Sequence, residues 1–433
     1  MSSTKHLMTG LAVLGAMVVT DSAMAQSLFT RDRNVSVLQR DRPDYDAPGI
    51  RAGSFIIKPK VDLMAGYSDN VFAVSEEVSP EFGDRDDYYF ILRPSARIAS
   101  DWNRHSLSGG TYVEAWKHDA FDENNVVNYG VFADGRLDVR RQMALVAGAT
   151  YDLLHENRKA TNTAFLSVDP VEYERASVYG GIEHELGRIR YRGRLNYRDF
   201  DFQDAEDFVT GAELDQDFRD RQEASVLLQA GYAVTRDSSV FLRGTYTERN
   251  YDTLTPAGIN RDSQGYTISA GVDFDITRLA RGSVAVGYLQ EEFDDPALEA
   301  IDGLSLDGAV EWFPTDTLTA RLLASRDVRA SALAEAGGYI ASDISAGLDY
   351  ELRRNIILSA TAGYGESDYQ DIDRTEERYG INLAGQYLIN RYLRTKLEYT
   401  YEQQEVDNAA TAPTFFLRDY ETNEILLTLT AQR

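Results

Sequence analysis

Five arginines spaced by two, Arg188, Arg190, Arg192, Arg194 and Arg198, with Asn196 filling the one gap, are the side chains best arranged to act on a charged or polar solute. Successive residues of a strand point to opposite faces, so the five share one face, while Ile189, Tyr191, Gly193, Leu195 and Tyr197 take the other. An arginine exposed to lipid near a bilayer midplane costs about 2–4 kcal/mol. The row must therefore meet water or partner charges. Lys58, Lys60, Arg93, Arg97, Arg136, Arg140, Arg243, Arg249, Arg394 and Lys396 fall on polar faces in the same way. So do the acids Asp62, Asp134, Asp138, Glu183, Glu185, Asp273, Asp275, Asp307, Glu311, Asp349, Glu351 and Glu398. Opposed rows of guanidinium and carboxylate set a transverse field that orders water and selects polar or anionic solutes. They also pair across neighbouring strands and solvate the wall they stand on, and one ladder can do both.

Acid–base catalysis has little to work with. Past the leader only His105, His118, His155 and His184 titrate near neutrality, and no motif surrounds the two, His118 and His155, that would approach each other at the ends of their strands. No enzyme, cofactor or metal site is expected. There is no cysteine, hence no disulfide framework. A net charge of -26 leaves no basic surface for phosphates and excludes nucleic acid as a partner.

The segments that must position these residues alternate apolar with polar from about residue 53 to the end. Tyr266, Ile268, Ala270, Val272, Phe274 and Ile276 oppose Thr267, Ser269, Gly271, Asp273 and Asp275; Ile344, Ala346, Leu348, Tyr350 and Leu352 oppose Ser345, Gly347, Asp349 and Glu351; Ile381 and Leu383 oppose Asn382, Ala384 and Gln386. Alternation alone also fits a soluble sandwich. The loops decide. Tight connections near 101–105, 141–142, 187, 236–238, 279–282, 314–317, 353–354 and 390–391 are interleaved with long acidic ones near 69–87, 119–127, 156–174, 203–219, 252–261, 294–303, 331–338, 370–376 and 406–417. Short turns on one side and long loops on the other define an all-β, antiparallel, up-and-down transmembrane barrel with its turns in the periplasm. The count is about 18 strands, or 16 if a weak pair such as 304–313 with 318–330 is misread. Such a barrel is too wide for side chains to fill, so a hydrated channel or a plug is implied.

Tyr67, Tyr129, Tyr151, Tyr266, Tyr288, Tyr339, Tyr364, Tyr379, Tyr399 and Tyr420 gather toward the long-loop ends as an interfacial girdle. Phe55, Trp312, Phe313, Tyr387 and Tyr392 suggest the opposite one. The acidic loops, with Glu76, Glu77, Glu81 and Asp84 in the first and Asp204, Asp215 and Asp217 in another, show no calcium-loop spacing and read as solvated.

The start of the chain reads as a secretory signal over 1–25: Lys5 and His6, an apolar stretch from Leu7 to Thr20 too short to span a bilayer, and the Ala23-Met24-Ala25 cleavage pattern. Residues 26–52 do not alternate and contain Pro43 and Pro48, which predicts an extended periplasmic arm with Arg31, Arg33, Arg40, Arg42 and Arg51 as its charged contacts. The arm either plugs the lumen, contacts a periplasmic protein, or is a disordered lead-in. The barrel proper then occupies 53–433.

One stretch is more specific. Arg40-Asp41-Arg42-Pro43-Asp44-Tyr45-Asp46-Ala47-Pro48-Gly49-Ile50-Arg51-Ala52-Gly53, followed by Ser54-Phe55-Ile56-Ile57 and then Gly66-Tyr67-Ser68-Asp69-Asn70-Val71-Phe72, resembles the putative β-barrel porin 2 family of Gram-negative bacteria. The resemblance spans the mature chain, although Leu427 to Arg433 lacks the terminal aromatic of many outer-membrane barrels. It implies a porin-like outer-membrane channel. Because some members resemble capsule and exopolysaccharide export barrels, it further implies polysaccharide translocation, with a small-solute porin or a plugged structural barrel as the alternatives. The partners it implies are outer-membrane lipid and lipopolysaccharide, the barrel assembly machinery and a periplasmic polysaccharide-export protein.

Overall fold

The computed structural model describes residues 34–75, 85–160, 163, 167–208, 210–277, 279–408 and 419–433. Arg31, Arg33, the predicted signal and the acids Glu76, Glu77, Glu81 and Asp84 lie outside them.

A short strand, β1 (Ile50–Ala52), precedes β2 (Phe55–Ser68), β3 (Asp87–Ser100), β4 (Ser106–His118), β5 (Val127–Arg140), β6 (Met143–His155), β7 (Glu172–Leu186) and β8 (Ile189–Phe202). A loop hairpin, β9 (Ala205–Glu206) and β10 (Glu213–Leu214), interrupts the series. The wall resumes with β11 (Arg221–Ala233), β12 (Ser238–Tyr251), β13 (Ser263–Ile276), β14 (Ala280–Phe293), β15 (Ile301–Thr315) and β16 (Leu318–Ala330). It ends with β17 (Gly338–Arg353), β18 (Ile356–Tyr369), β19 (Arg374–Leu388), β20 (Leu393–Asn408) and β21 (Tyr420–Gln432). Each wall strand pairs antiparallel with the next, β8 joins β11 directly, and β21 returns to β2 with Lys60 opposite Gln432 and Ser68 opposite Glu424. The result is a closed barrel of 18 strands, and the pair β15–β16 belongs to it.

Closure removes the sheet edges that would otherwise template aggregation. One gap remains, because β21 reaches β2 only from Lys60 onward. There β1 folds back to pair Ile50 with Ile57 and Ala52 with Phe55, turning through Gly53 in the left-handed backbone region that glycine tolerates.

The outer face is apolar and exposed, with Leu63, Leu195, Leu228, Leu242, Ile268, Leu348, Ile381 and Leu427 among its residues. The alternate positions turn inward and are buried or half-buried, as Asp62, Gln229, Asp273, Asp349 and Glu376 show. A soluble protein rarely exposes an apolar surface this continuous. Here it matches the lipid-facing band of a membrane barrel.

Above that band most girdle tyrosines hand their hydroxyls to acceptors at the long-loop side: Tyr67 to Asp86, Tyr151 to Glu174, Tyr266 to Gln290, Tyr288 to Asp302 and Tyr399 to Asn423. Two expected members are not there. Tyr339 and Tyr420 point inward and are buried, Tyr339 stacked on Tyr369 at 4.9 Å and Tyr420 donating to the Lys159 carbonyl. At the other end Trp312 faces outward, but its neighbour Phe313 turns in beneath Arg281. Adjacent strand residues cannot share a face.

Candidate functional site

The lumen wall is a lattice of ion pairs. Arg190 pairs with Glu185 at 2.7 Å, Arg192 with Glu183 at 3.5 Å, and Arg198 with Glu223 at 3.8 Å. Arg136 reaches Glu183 at 2.6 Å, and Arg249 bridges Glu223 and Glu291. Arg243 extends past β13 and β14 to Asp307 on β15 at 2.6 Å, Arg321 meets Asp349, and Lys396 meets Glu398. Removing charges from water is costly unless each finds a partner, which is why the two signs alternate along the wall. Asp273, Asp275 and Arg394 also stand on inward faces, whereas Arg188 falls in the β7–β8 turn and is exposed, so the ladder on the strand itself has four rungs. Gly187, in the left-handed region, makes that turn.

Between these charges several aromatic rings lie flat along the wall. Each occupies the space left by a glycine on the neighbouring strand: Phe132 over Gly110, Tyr112 over Gly130, Tyr179 over Gly148 and Phe241 over Gly271, where an added Cβ would collide with the ring. Guanidinium groups then cover the rings, Arg97 at 5.9 Å from the Phe132 centroid, Arg93 at 5.5 Å from Tyr112, Arg194 at 3.8 Å from Tyr179 and Arg243 at 5.2 Å from Phe241. The arginines are legible in the sequence; the rings are not. Their pairing with glycine becomes visible only once the strand register is known.

The mouth on the side of the short turns, expected to face the periplasm, is partly filled by residues 34–49. They do not run extended; they turn at 37–39 and 43–46 and pack inside the rim. Asn34 donates to Asp275 at 2.6 Å and to the Ile276 carbonyl, and Arg281 donates to the Asn34 carbonyl. The Val37 amide donates to Thr319, and its fully buried side chain packs with Ile357 and Leu388. Arg40 and Arg42 converge on Glu351 at 3.0 and 2.8 Å. Arg51, by contrast, makes an exposed pair with Asp101 outside the mouth. Gln432 of β21 donates to the Tyr45 carbonyl, so the segment leans on β13, β14, β16, β17, β18, β19 and β21.

At the other mouth the long loops hold one another. Lys159, in the 156–171 loop, projects into the lumen, pairs with Glu424 and lies 4.0 Å from Glu402. Burial alone would lower the basicity of its ammonium, but the two carboxylates outweigh that and hold it charged above the ordinary lysine range. Glu424 also accepts from Tyr89, which sits in an inward apolar cluster with Ile91, Leu426, Met64 and Trp116. Arg261, 1% exposed, donates to the carbonyls of Ser331 and Phe218 and so ties three loops together. Arg219 joins Glu156, and Asp371 accepts from the Glu299 and Gly337 amides. None of these residues stood out in the sequence.

His118 is held by Asp87 at 3.1 Å, and His155 by Asn128 and Glu172, so the two histidines have separate partners. Asp204, Asp215 and Asp217 bring carboxylate oxygens within 4.8 Å of one another, all exposed. Two of them already accept backbone amides, Asp204 from Gln216 and Asp215 from Asp217.

A closed barrel with an apolar belt outside and a charged wall inside is an outer-membrane channel of the porin kind. The chain belongs to the family described as putative beta-barrel porin 2, whose model matches residues 42–433. Solved structures it is similar to include the outer membrane protein opdK from Pseudomonas aeruginosa (10% identity over 87% of this chain and 99% of that one, TM-score 0.42). Others are OccAB3 from Acinetobacter baumannii (10%, 87% and 99%, TM-score 0.46) and a BenF-like porin from Pseudomonas fluorescens (10%, 87% and 99%, TM-score 0.45). Among curated proteins none matches.

Proposed function

We propose that this channel moves a polysaccharide across the outer membrane. The observation that carries the reading is the wall of flat aromatic rings set among arginines and carboxylates. A sugar ring offers an apolar C–H face and an equatorial fringe of hydroxyls. A surface that alternates ring planes with charged donors and acceptors meets both, and a row of such places lets a hydrated chain pass without tight binding at any one. The family resemblance points the same way. In this reading the chain is exported behind a leader cleaved near Ala25, and the arm offers the surface a periplasmic export protein would meet.

A second reading, a porin for small hydrophilic solutes, is favoured by the filled periplasmic mouth and the inward Lys159, which narrow both ends. A deletion strain separates the two when assayed for surface polysaccharide and for uptake of small solutes. Loss of surface polysaccharide is the expected result. Intact secretion with impaired uptake rejects export in favour of the porin, and no change in either favours a structural barrel.

A further inference from the structure

We infer that the wall made by β5, β6, β7 and β8 carries a subsite for a carboxylate-bearing sugar, centred on the Arg194 guanidinium. The inference rests on the glycan reading above and narrows the cargo to an acidic polymer. Arg194 lies 3.8 Å from the centroid of Tyr179. The ring is immobilised from two sides: Gly148 leaves it room to lie against the wall, and its hydroxyl donates to Asp134 at 2.7 Å. A fixed ring fixes the plane of the cation stacked on it.

Among the described residues Arg194 is also left without an anion. Its register neighbours are Gly181 on β7 and Leu227 on β11, neither of which can pair with it. Among the described residues no carboxylate forms an ion pair with it, and its buried Nε has no hydrogen-bond acceptor. Its companions on the same face differ: Arg190, Arg192 and Arg198 are matched by Glu185, Glu183 and Glu223. The nearby acids are engaged too, Asp134 by Tyr179 and Glu183 by Arg136 and Arg192. The two terminal nitrogens, which make no hydrogen bond among the described residues, are suited to two parallel hydrogen bonds to a carboxylate, and stacking on the fixed Tyr179 ring holds their plane. A neutral glycan offers no carboxylate to pair with it.

The test is calorimetric titration of the full chain in detergent with an oligogalacturonate, and with a neutral maltooligosaccharide of equal length. The acidic oligomer should bind at least about tenfold more tightly. Arg194→Gln should weaken that binding roughly tenfold, and Arg194→Lys should recover only part of it, because a point charge lacks the planar fork. Tyr179→Leu, which keeps the charge, should also weaken binding; Arg140→Gln, an exposed cation at the end of β5, should leave it unchanged. Heat-modifiable migration on gels verifies that each variant is folded. Equal affinity for both oligomers, no binding of either, or an unchanged affinity in Arg194→Gln overturns the subsite. Tight oligogalacturonate binding in a protein whose deletion leaves secretion normal supports the subsite while rejecting export. Lost secretion without oligogalacturonate binding rejects the subsite alone.

Discussion

The two mouths of this barrel are narrowed by different kinds of structure. At the short-turn side one continuous segment, residues 34–49, rests against several strands through an apolar anchor of Val37 with Leu38 and Tyr45 and a few polar contacts at Glu351, Asp275 and Arg281. At the long-loop side separate loops are cross-tied by buried cations: Arg261, in one loop, binds two others, Arg219 joins two, and Lys159 pins another to β20 and β21. A single segment can leave its seat as a unit. A web of loops must lose several buried hydrogen bonds at once, each left unsatisfied if only one partner moves. Opening should therefore be easier at the mouth that residues 34–49 fill.

Removing the arm is the largest expected effect. A chain lacking residues 34–46 should conduct severalfold more than the full chain in planar bilayers. Val37→Asp, which forces a charge into the apolar seat beside Ile357 and Leu388, should reproduce most of that gain. Single-channel recordings that show equal conductance in all three proteins would sink the idea that this mouth is the gate.

Next in size is Lys159→Met. It strips the cation from Glu402 and Glu424, and breaking a buried pair by removing one partner costs about 3–5 kcal/mol. The melting temperature in detergent should fall while conductance rises less than on arm removal. Adding Glu424→Gln should restore much of the lost stability. If Lys159→Met opened the channel more than arm removal did, the order of the two mouths would be reversed.

A smaller shift is expected inside. Replacing Arg190, Arg192 and Arg194 with glutamine leaves Glu185 without its partner and Glu183 with only Arg136, so the gain in cation preference should exceed that from the lost charges alone. Reversal potentials should move accordingly, more at low salt where the Debye length is long. An unchanged potential would mean that the ladder only pairs with its own neighbours.

The contrast between the mouths was not legible in the sequence, although the wall was. A period of two assigns Ile268 and Leu348 to lipid and Asp273 and Asp349 to the lumen without any knowledge of register, because alternation is a property of one strand. Composition misleads where it overrides alternation: Phe313 beside Trp312, and Tyr339 and Tyr420 near the long-loop ends of their strands, have the residue type of a girdle but the parity of the lumen. Lys159 and Arg261 sit in polar loops that resemble any solvated loop, and their burial is decided by partners more than 250 and about 70 residues away. The seat of Val37 is equally non-local, since Thr319, Ile357 and Leu388 come together only when the barrel closes.

The smallest effect expected is a pH response confined to the extracellular web. Asp220, at the end of the 203–220 loop, accepts the Phe202 amide at 2.6 Å. Burial, reinforced by the charges of Asp201, Asp217 and Asp252, pushes its carboxyl up to about 6, against the opposing pull of that hydrogen bond. Arg219 and Arg221 flank it, but Arg219 is taken by Glu156 and Arg221 by Glu223. A carboxyl whose folded-state pKa is raised binds its proton more tightly when the loop is closed. The closed loop is thus favoured as pH falls through about 6, and that gain is complete only below the ordinary carboxylate range. Hydrogen exchange across 203–220, corrected for intrinsic rates, should slow between about pH 7.5 and about pH 5, while exchange in the arm should not change. Asp220→Asn should remove the pH dependence and hold the loop at its acidic level of protection. Equal slowing in the arm would mean that the two mouths are coupled after all, and no slowing in either would show that protonation of Asp220 carries no part of the loop's stability.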